Sequence, residues 1–284
     1  MIWATSGGGI VVGHELGHRK NCLHRFFGYL LYLRFLNTNF IITHNKGHHK
    51  WVATPLDAAS ATKGQTVFQF IAHSIPHSFI QGWKIEEERI EKNHGPEVSP
   101  ILKVLLNQVF LMKLGEVIYL GVVYYIWGFR MFCFAVLIGF MLQCSLEIIN
   151  YVEHYGLRRK EISPGKYERV NISHSWNSSH SLSNVLQFRL PRHSDHHETG
   201  SKPYQALQNC EASPQLPFSY ITALTLALNP KVWFKTLDPL VQIYQEEKRK
   251  PTKEEAERAR AIAKQAVMGS IAKNILIILV SQIV

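Results

Sequence analysis

The stretch VIYLGVVYYIWGFRMFCFAVLIGFMLQC, residues 117–144, is apolar on every face and carries Gly128, Phe129 and Arg130 near its middle. A surface helix of a soluble protein keeps one polar side, so an element that is apolar all round is buried in protein or in lipid. Followed outward, the run divides into 101–127 and 131–149, each about the length that crosses a hydrocarbon core of about 30 Å. The break at 128–130 makes the pair an antiparallel transmembrane hairpin. Trp83, Tyr124, Tyr125 and Trp127 are candidate anchors at the membrane interface.

Upstream, residues 26–42 (FFGYLLYLRFLNTNFII) read as one shorter apolar helix interrupted by Arg34, re-entrant or interfacial. The opening run 1–13 lacks a basic leader and passes straight into HELGHRK, as the inside of a membrane helix in a longer protein would, rather than a secretory signal. The stretches 43–99 and 150–265 carry most of the charges and read as one aqueous face. Residues 252–266 (TKEEAERARAIAKQA) have helix-forming composition with Glu254 and Arg258 at i,i+4, and give way to an apolar tail ending at Val284. The expected fold is therefore all-α, a polytopic transmembrane helical bundle. Its expected organisation is a membrane domain over 1–250, followed at 251–284 by a charged helix and an apolar C-terminal tail.

Composition narrows the function. With 46% hydrophobic and 18% charged residues in 284, the chain is too apolar to be disordered. Cys22, Cys133, Cys144 and Cys210 lie far apart without a CxxC, which fits neither a disulfide framework nor a thiolate zinc site. A formal charge of +10 allows nucleic acid, an anionic membrane or an acidic protein as partner. Nucleic acid is set aside, because the basic residues are not interleaved with aromatics on a soluble module.

Fifteen histidines are present, and nine of them fall in four short clusters. His14 and His18, four apart in HELGH, share one helix face. His44, His48 and His49 repeat that spacing with one extra neighbour in HNKGHH. His154 follows the second span, and His193, His196 and His197 close the series in RHSDHH. Burying so many imidazoles without a cation leaves ring nitrogens unpaired, at about 1–3 kcal/mol each. A catalytic zinc takes three protein ligands and a structural zinc four, so nine histidines point to two metal ions. Imidazole alone admits zinc, copper, nickel or iron. Glu15, Asp57, Glu153 and Asp195, inside or beside the clusters, are candidates to accept the second ring N–H of a ligand and so orient it. His24, His73, His77 and His94 read as ordinary surface or core residues, and His174 and His180 stay outside the ligand set.

The four clusters also carry a resemblance. HELGHRK (14–20), HNKGHH (44–49), NYVEHYGL (150–157) and RHSDHH (192–197) occur in the order of the membrane-bound alkane monooxygenases, or alkane omega-hydroxylases, relatives of the membrane fatty acid desaturases and hydroxylases. KWVATPLDAASA (50–61), HSWNSSH (174–180), YQAL (204–207), PQLP (214–217) and LDP (237–239) extend it over residues 3–240. The resemblance implies iron ligands at His14, His18, His44, His48, His49, His154, His193, His196 and His197. It implies a non-haem diiron centre on the cytosolic side of an integral membrane bundle. O2 would be the co-substrate, and the terminal methyl of a linear alkane or fatty-acyl-like chain would become a primary alcohol. Electrons would come from NAD(P)H through a reductase and rubredoxin. Rubredoxins are typically acidic, and Arg158, Arg159, Lys160 and Arg192 are the cations expected to steer such a donor.

The chain departs from the family pattern at Thr43, where Glu is usual, at Pro191, which is expected to break the helix leading into the last cluster, and at Glu198. Family members carry several spans before the first cluster, so by resemblance the chain is N-terminally truncated. Two alternatives follow: a non-catalytic metal- or lipid-binding relative, and an intramembrane zinc protease using HELGH with Glu15 as general base.

Overall fold

The computed structural model describes residues 2–281, with side chains from Gly8 to Ser270. The chain is mainly helical, and its described strands are a two-stranded antiparallel ribbon of β1 (Glu161–Ser163) and β2 (Lys166–Tyr167). The helices are α1 (Ile2–Gly17), α2 (Cys22–Leu33), α3 (Phe40–Ile42), α4 (His49–Trp51), α5 (Val67–His94), α6 (Pro100–Leu106), α7 (Gln108–His154), α8 (Ser181–Leu186), α9 (His193–Glu198), α10 (Tyr220–Ala227), α11 (Pro230–Gln245) and α12 (Lys253–Ser281). Between α3 and α4 the backbone winds as a π-helix, Thr43–His48.

The long element α7 is two limbs joined at Gly128, whose φ of 78° and ψ of −179° are not helical. Only glycine adopts that combination freely. The limbs fold back on each other. Lys113 Nζ, fifteen residues before the turn, and Gln143 Nε2, fifteen after it, both donate to the carbonyl of Leu36, at 3.0 and 2.7 Å. Among the described residues α7 is the one helix long and apolar enough to cross a membrane. Its outward faces carry exposed Val117, Ile118, Tyr125, Trp127, Phe129 and Leu137.

One expectation is corrected here, and one unexpected helix appears. Residues 26–42 are not one helix: α2 ends at Leu33, and the chain turns through Leu36, with φ of 51°, before α3 begins. The turn forms because Glu116, buried in the first limb of α7, accepts from both the N–H and the hydroxyl of Thr38 (2.8 and 2.7 Å), while Leu36 packs where Gly139 has no side chain. Residues 67–83, expected within a long polar stretch, are helical. They form the first half of α5, started by a reciprocal cap between Thr66 and Gln69 and packed along α7. The helix was hidden because VFQFIAHSIPHSFIQGW mixes polar and apolar residues around Pro76.

The largest core gathers Val67 and Phe70 of α5, Tyr151 and Val152 of α7, Trp176, Tyr220 of α10 and Trp233 and Leu237 of α11. Ala259 and Ala263 of α12 belong to it, and Arg260 donates to the Pro217 carbonyl at 2.7 Å. A second core joins Ile10, Tyr32, Phe40 and Leu146, tying α1 and α2 to the hairpin. The expected apolar tail lies, beyond Ser270, outside the described side chains.

Candidate metal centre

Each cluster reaches the centre from its own element. α1 and the turn after it carry His14 and His18, the π-helix and α4 carry His44, His48 and His49, the end of α7 carries His154, and α9 carries His193, His196 and His197. The structure brings these nine together in two groups. His14, His18, His44, His49 and His196 form one, and His48, His154, His193 and His197 the other, with the donor atoms of each group within 4.8 Å of one another.

In the first group Nε2 of His44 lies 2.8 Å from that of His14 and 3.1 Å from that of His49, and the His14 and His18 nitrogens are 3.3 Å apart. In the second, Nε2 of His193 lies 3.2 Å from that of His154 and 2.9 Å from that of His197, with His48 and His154 at 3.1 Å. Ligands about 2.0–2.1 Å from one cation stand roughly 3 Å from each other. Hydrogen bonds between rings cannot satisfy this arrangement, because a neutral imidazole has one donor and one acceptor and here single nitrogens face two others. Buried Nε2 of His196 has no hydrogen-bond partner, and neither has Nδ1 of His193 or His197. Burial first, and the neighbouring imidazoles second, hold His193, His196 and His197 well below the ordinary imidazole pKa. The rings are thus neutral and ready to ligate. Two cations fit this donor set.

The π-helix decides the grouping. On an α-helix His44 and His48 share a face, but the wider turn pairs His44 with His49, five residues on, and sends His48 to the other group. The turn is held from outside the site: Lys46 is paired with buried Glu86 at 3.2 Å, and Asn45 donates to the Gly17 carbonyl at 2.8 Å. Likewise α9 parts adjacent residues, His196 to the first group and His197 to the second. Ser194 N–H donates to Asn177 at 2.9 Å, and Trp176 N–H to the Glu153 carbonyl at 2.8 Å, so the segment 176–178 straps α9 to the end of α7.

The four carboxylates fare differently. Asp57 Oδ2 accepts from His48 Nδ1 at 2.8 Å and from Ser60 at 2.5 Å. Burial works to raise its pKa, but the His48 ring and the hydrogen bonds from His48 and Ser60 outweigh that and leave it lowered. Glu153 stands 3.1 Å from His193 Nε2 and accepts from Tyr220 at 2.5 Å. Glu15 is turned to Arg19 and to the Tyr204 N–H, and Asp195 to Lys202 and the Gln208 N–H, neither toward a histidine. With Glu15 held by Arg19, and His14 and His18 joined by three further imidazoles, the protease alternative loses its base and its three-ligand site. His154 Nδ1 donates instead to the His174 carbonyl at 3.3 Å.

Sequence reasoning missed Tyr220, Asn177 and Glu86, whose partners Glu153, Ser194 and Lys46 are distant in the chain and leave no local signal, and it missed Ser60, only three residues from Asp57. Pro191 does not break a helix: it precedes α9, and its carbonyl accepts from Ser178 N–H at 2.9 Å. The arginines expected to face a donor are largely spent internally. Arg159 donates to the Glu168, Lys50 and Val52 carbonyls, and Arg192 to that of Leu207. Lys160 is exposed.

Residues 1–226 match the family model described as fatty acid desaturase, and the chain belongs to that family. It is 39% identical over 259 residues to alkane 1-monooxygenase 1 of Pseudomonas aeruginosa, covering 89% of this chain and 65% of that protein. To alkane 1-monooxygenase of Ectopseudomonas oleovorans it is 36% identical, covering 84% and 58%. To the hydroxylase component of the Pseudomonas putida xylene/toluene monooxygenase it is 27% identical, covering 82% and 60%. The chain thus spans less than two thirds of the length of these relatives.

Proposed function

We propose that the chain is the metal-binding part of an oxygen-dependent hydroxylase that converts the terminal methyl of a linear alkane, or a fatty-acyl-like chain, to a primary alcohol. The observation that carries this reading is the convergence of nine histidines into groups of five and four, in a chain similar to proteins named alkane 1-monooxygenases. The nine are proposed as ligands of two iron ions, and bound iron would supply the reduction of O2 and the attack on an unactivated C–H bond. Asp57 orients the His48 ring, and the Tyr220–Glu153 pair braces the carboxylate beside His193. An alkane offers only apolar surface, about 0.8 kcal/mol per buried CH2, so selection of its end rests on an apolar passage that stops at the metals.

The proposed setting is a polytopic membrane bundle with the histidines on the cytosolic side. The exposed apolar surface of α7 supports the lipid contact. Residues 1–250 would be the hydroxylase domain, with 251–284 a charged helix and tail carried on it. Two electrons would come from NAD(P)H through a reductase and a rubredoxin-type donor.

The test is elemental analysis of the purified protein in detergent, followed by incubation with n-octane, 18O2, reductase and rubredoxin. About two irons per chain and labelled 1-octanol are expected. One zinc and no iron would overturn the reading.

A further inference from the structure

An open apolar groove of about 550 Å³ runs between α5 and the second limb of α7, lined by Phe68, Ile71 and Ile75 on one side and Phe140, Cys144 and Ile148 on the other. That volume lies in the range of small-molecule sites. On the inner side of the same helix pair is a chamber of about 20 Å³ walled by His44, His48, Ser78, Gln81, Glu147 and Asn150. It has room for about one water. Between the two lies one hydrogen bond: buried Ser74 of α5 donates to buried Glu147 of α7 at 2.5 Å. The groove-lining residues sit three before and one after each partner, Ile71 and Ile75 around Ser74, Cys144 and Ile148 around Glu147. Glu147 also accepts from Asn150, at 3.3 Å, and neither partner is a cation.

We propose that the groove binds the hydrocarbon substrate and that the Ser74–Glu147 hydrogen bond is the closed gate between it and the metal centre. This rests on the reading of the chain as a hydroxylase of linear hydrocarbons. The occupant follows from continuity. The groove presents almost only carbon to its ligand, and the same two helices line both spaces: α7 gives Ile148 to the groove and the adjacent Glu147 to the chamber that holds His44 and His48, and α5 gives Ile75 to the groove and Ser78 to the chamber. As it stands the chamber admits no chain end, so a methyl group reaches the histidines only when Ser74 and Glu147 part. Opening joins the two spaces. Ser74 and Glu147 are positioning residues in this account, and no bond of the substrate is made or broken at them.

Cys144 lines the groove, while Cys133 is exposed on the same limb outside it, which gives a built-in reporter and control. The holo-protein in detergent is alkylated with an apolar N-alkylmaleimide with and without saturating n-octane, and each cysteine is followed by peptide mass spectrometry. A slowing of at least fivefold at Cys144, with Cys133 unchanged, is expected. No slowing, or equal slowing of both because octane merely dissolves in the micelle, overturns the proposal. Ala72→Trp, at an exposed position on the groove wall, is expected to abolish the protection and raise the octane KM at least tenfold with bound iron unchanged. Ser74→Ala is expected to retain protection and raise the proportion of 2-octanol among the products; products unchanged in ratio and rate overturn the gate. Protection of Cys144 without hydroxylation sustains the groove while sinking the proposed function, and hydroxylation without protection does the reverse.

Discussion

Nε2 of His49 stands 3.1 Å from Nε2 of His44, five residues earlier, and this pair exists because the intervening backbone is a π-helix. Removing one residue from the turn restores an α-helical repeat and pulls His48 and His49 out of their separate groups. Deletion of Lys46 is therefore expected to cut bound metal from about two ions per chain to one or none, with the far-UV circular dichroism spectrum retained. Elemental analysis checks this, and full metal content in the deletion variant would show that the π register is dispensable.

Asp57 fixes the His48 ring through Nδ1. Loss of such an acceptor typically costs about 10–100-fold in metal affinity. Asp57→Ala is expected to weaken one of the two sites by that factor in chelator competition, and Asp57→Asn, which keeps an acceptor oxygen, by less. Equal affinity in all three proteins would remove Asp57 from the account.

The metal-free protein is expected to be acid-labile. His193, His196 and His197 have folded pKa values well below the ordinary one, chiefly through burial, while in the unfolded chain they titrate near about 6.5. Below that pH the unfolded state binds more protons, so the stability present above about pH 6.5 drains away as pH falls toward the depressed values. The slope reaches about 1.4 kcal/mol per pH unit for each ring. Melting in detergent between about pH 7.5 and 5.5 measures it, and an unchanged midpoint would contradict the burial.

Gly128 makes no contact that a side chain would disturb, so its replacement isolates the backbone term. Gly128→Ala is expected to cost about 1–3 kcal/mol through its left-handed φ. Thermal unfolding reads the loss, and a neutral substitution would show that the hairpin turn relaxes freely.

What was legible in the chain was what is local. Glycine followed by Phe129 and Arg130 marked the hairpin turn, and spacings within seven residues marked every histidine the structure brings together except His154, which stands alone in the sequence and was marked by the NYVEHYGL resemblance. The two groups were not legible, because His44, His48 and His49 suit an α-helix as well as a π-helix, and only Glu86 and Gly17, far off in sequence, hold the wider turn. The buried carboxylates Glu86, Glu116 and Glu147 were hidden for the same reason. Each has a partner between 40 and 78 residues away, and nothing adjacent distinguishes a buried glutamate from a solvated one.

Adjacent residues of α9 serve different groups, His196 one and His197 the other. On the proposed reading neither ion has its full complement until this six-residue helix docks, and α9 comes after every other ligand-bearing element in the chain. Synthesis thus runs past residue 197 before either site can close. On the same reading, an ion held through either histidine would also fix the position of its neighbour, so the two sites are linked through one short helix.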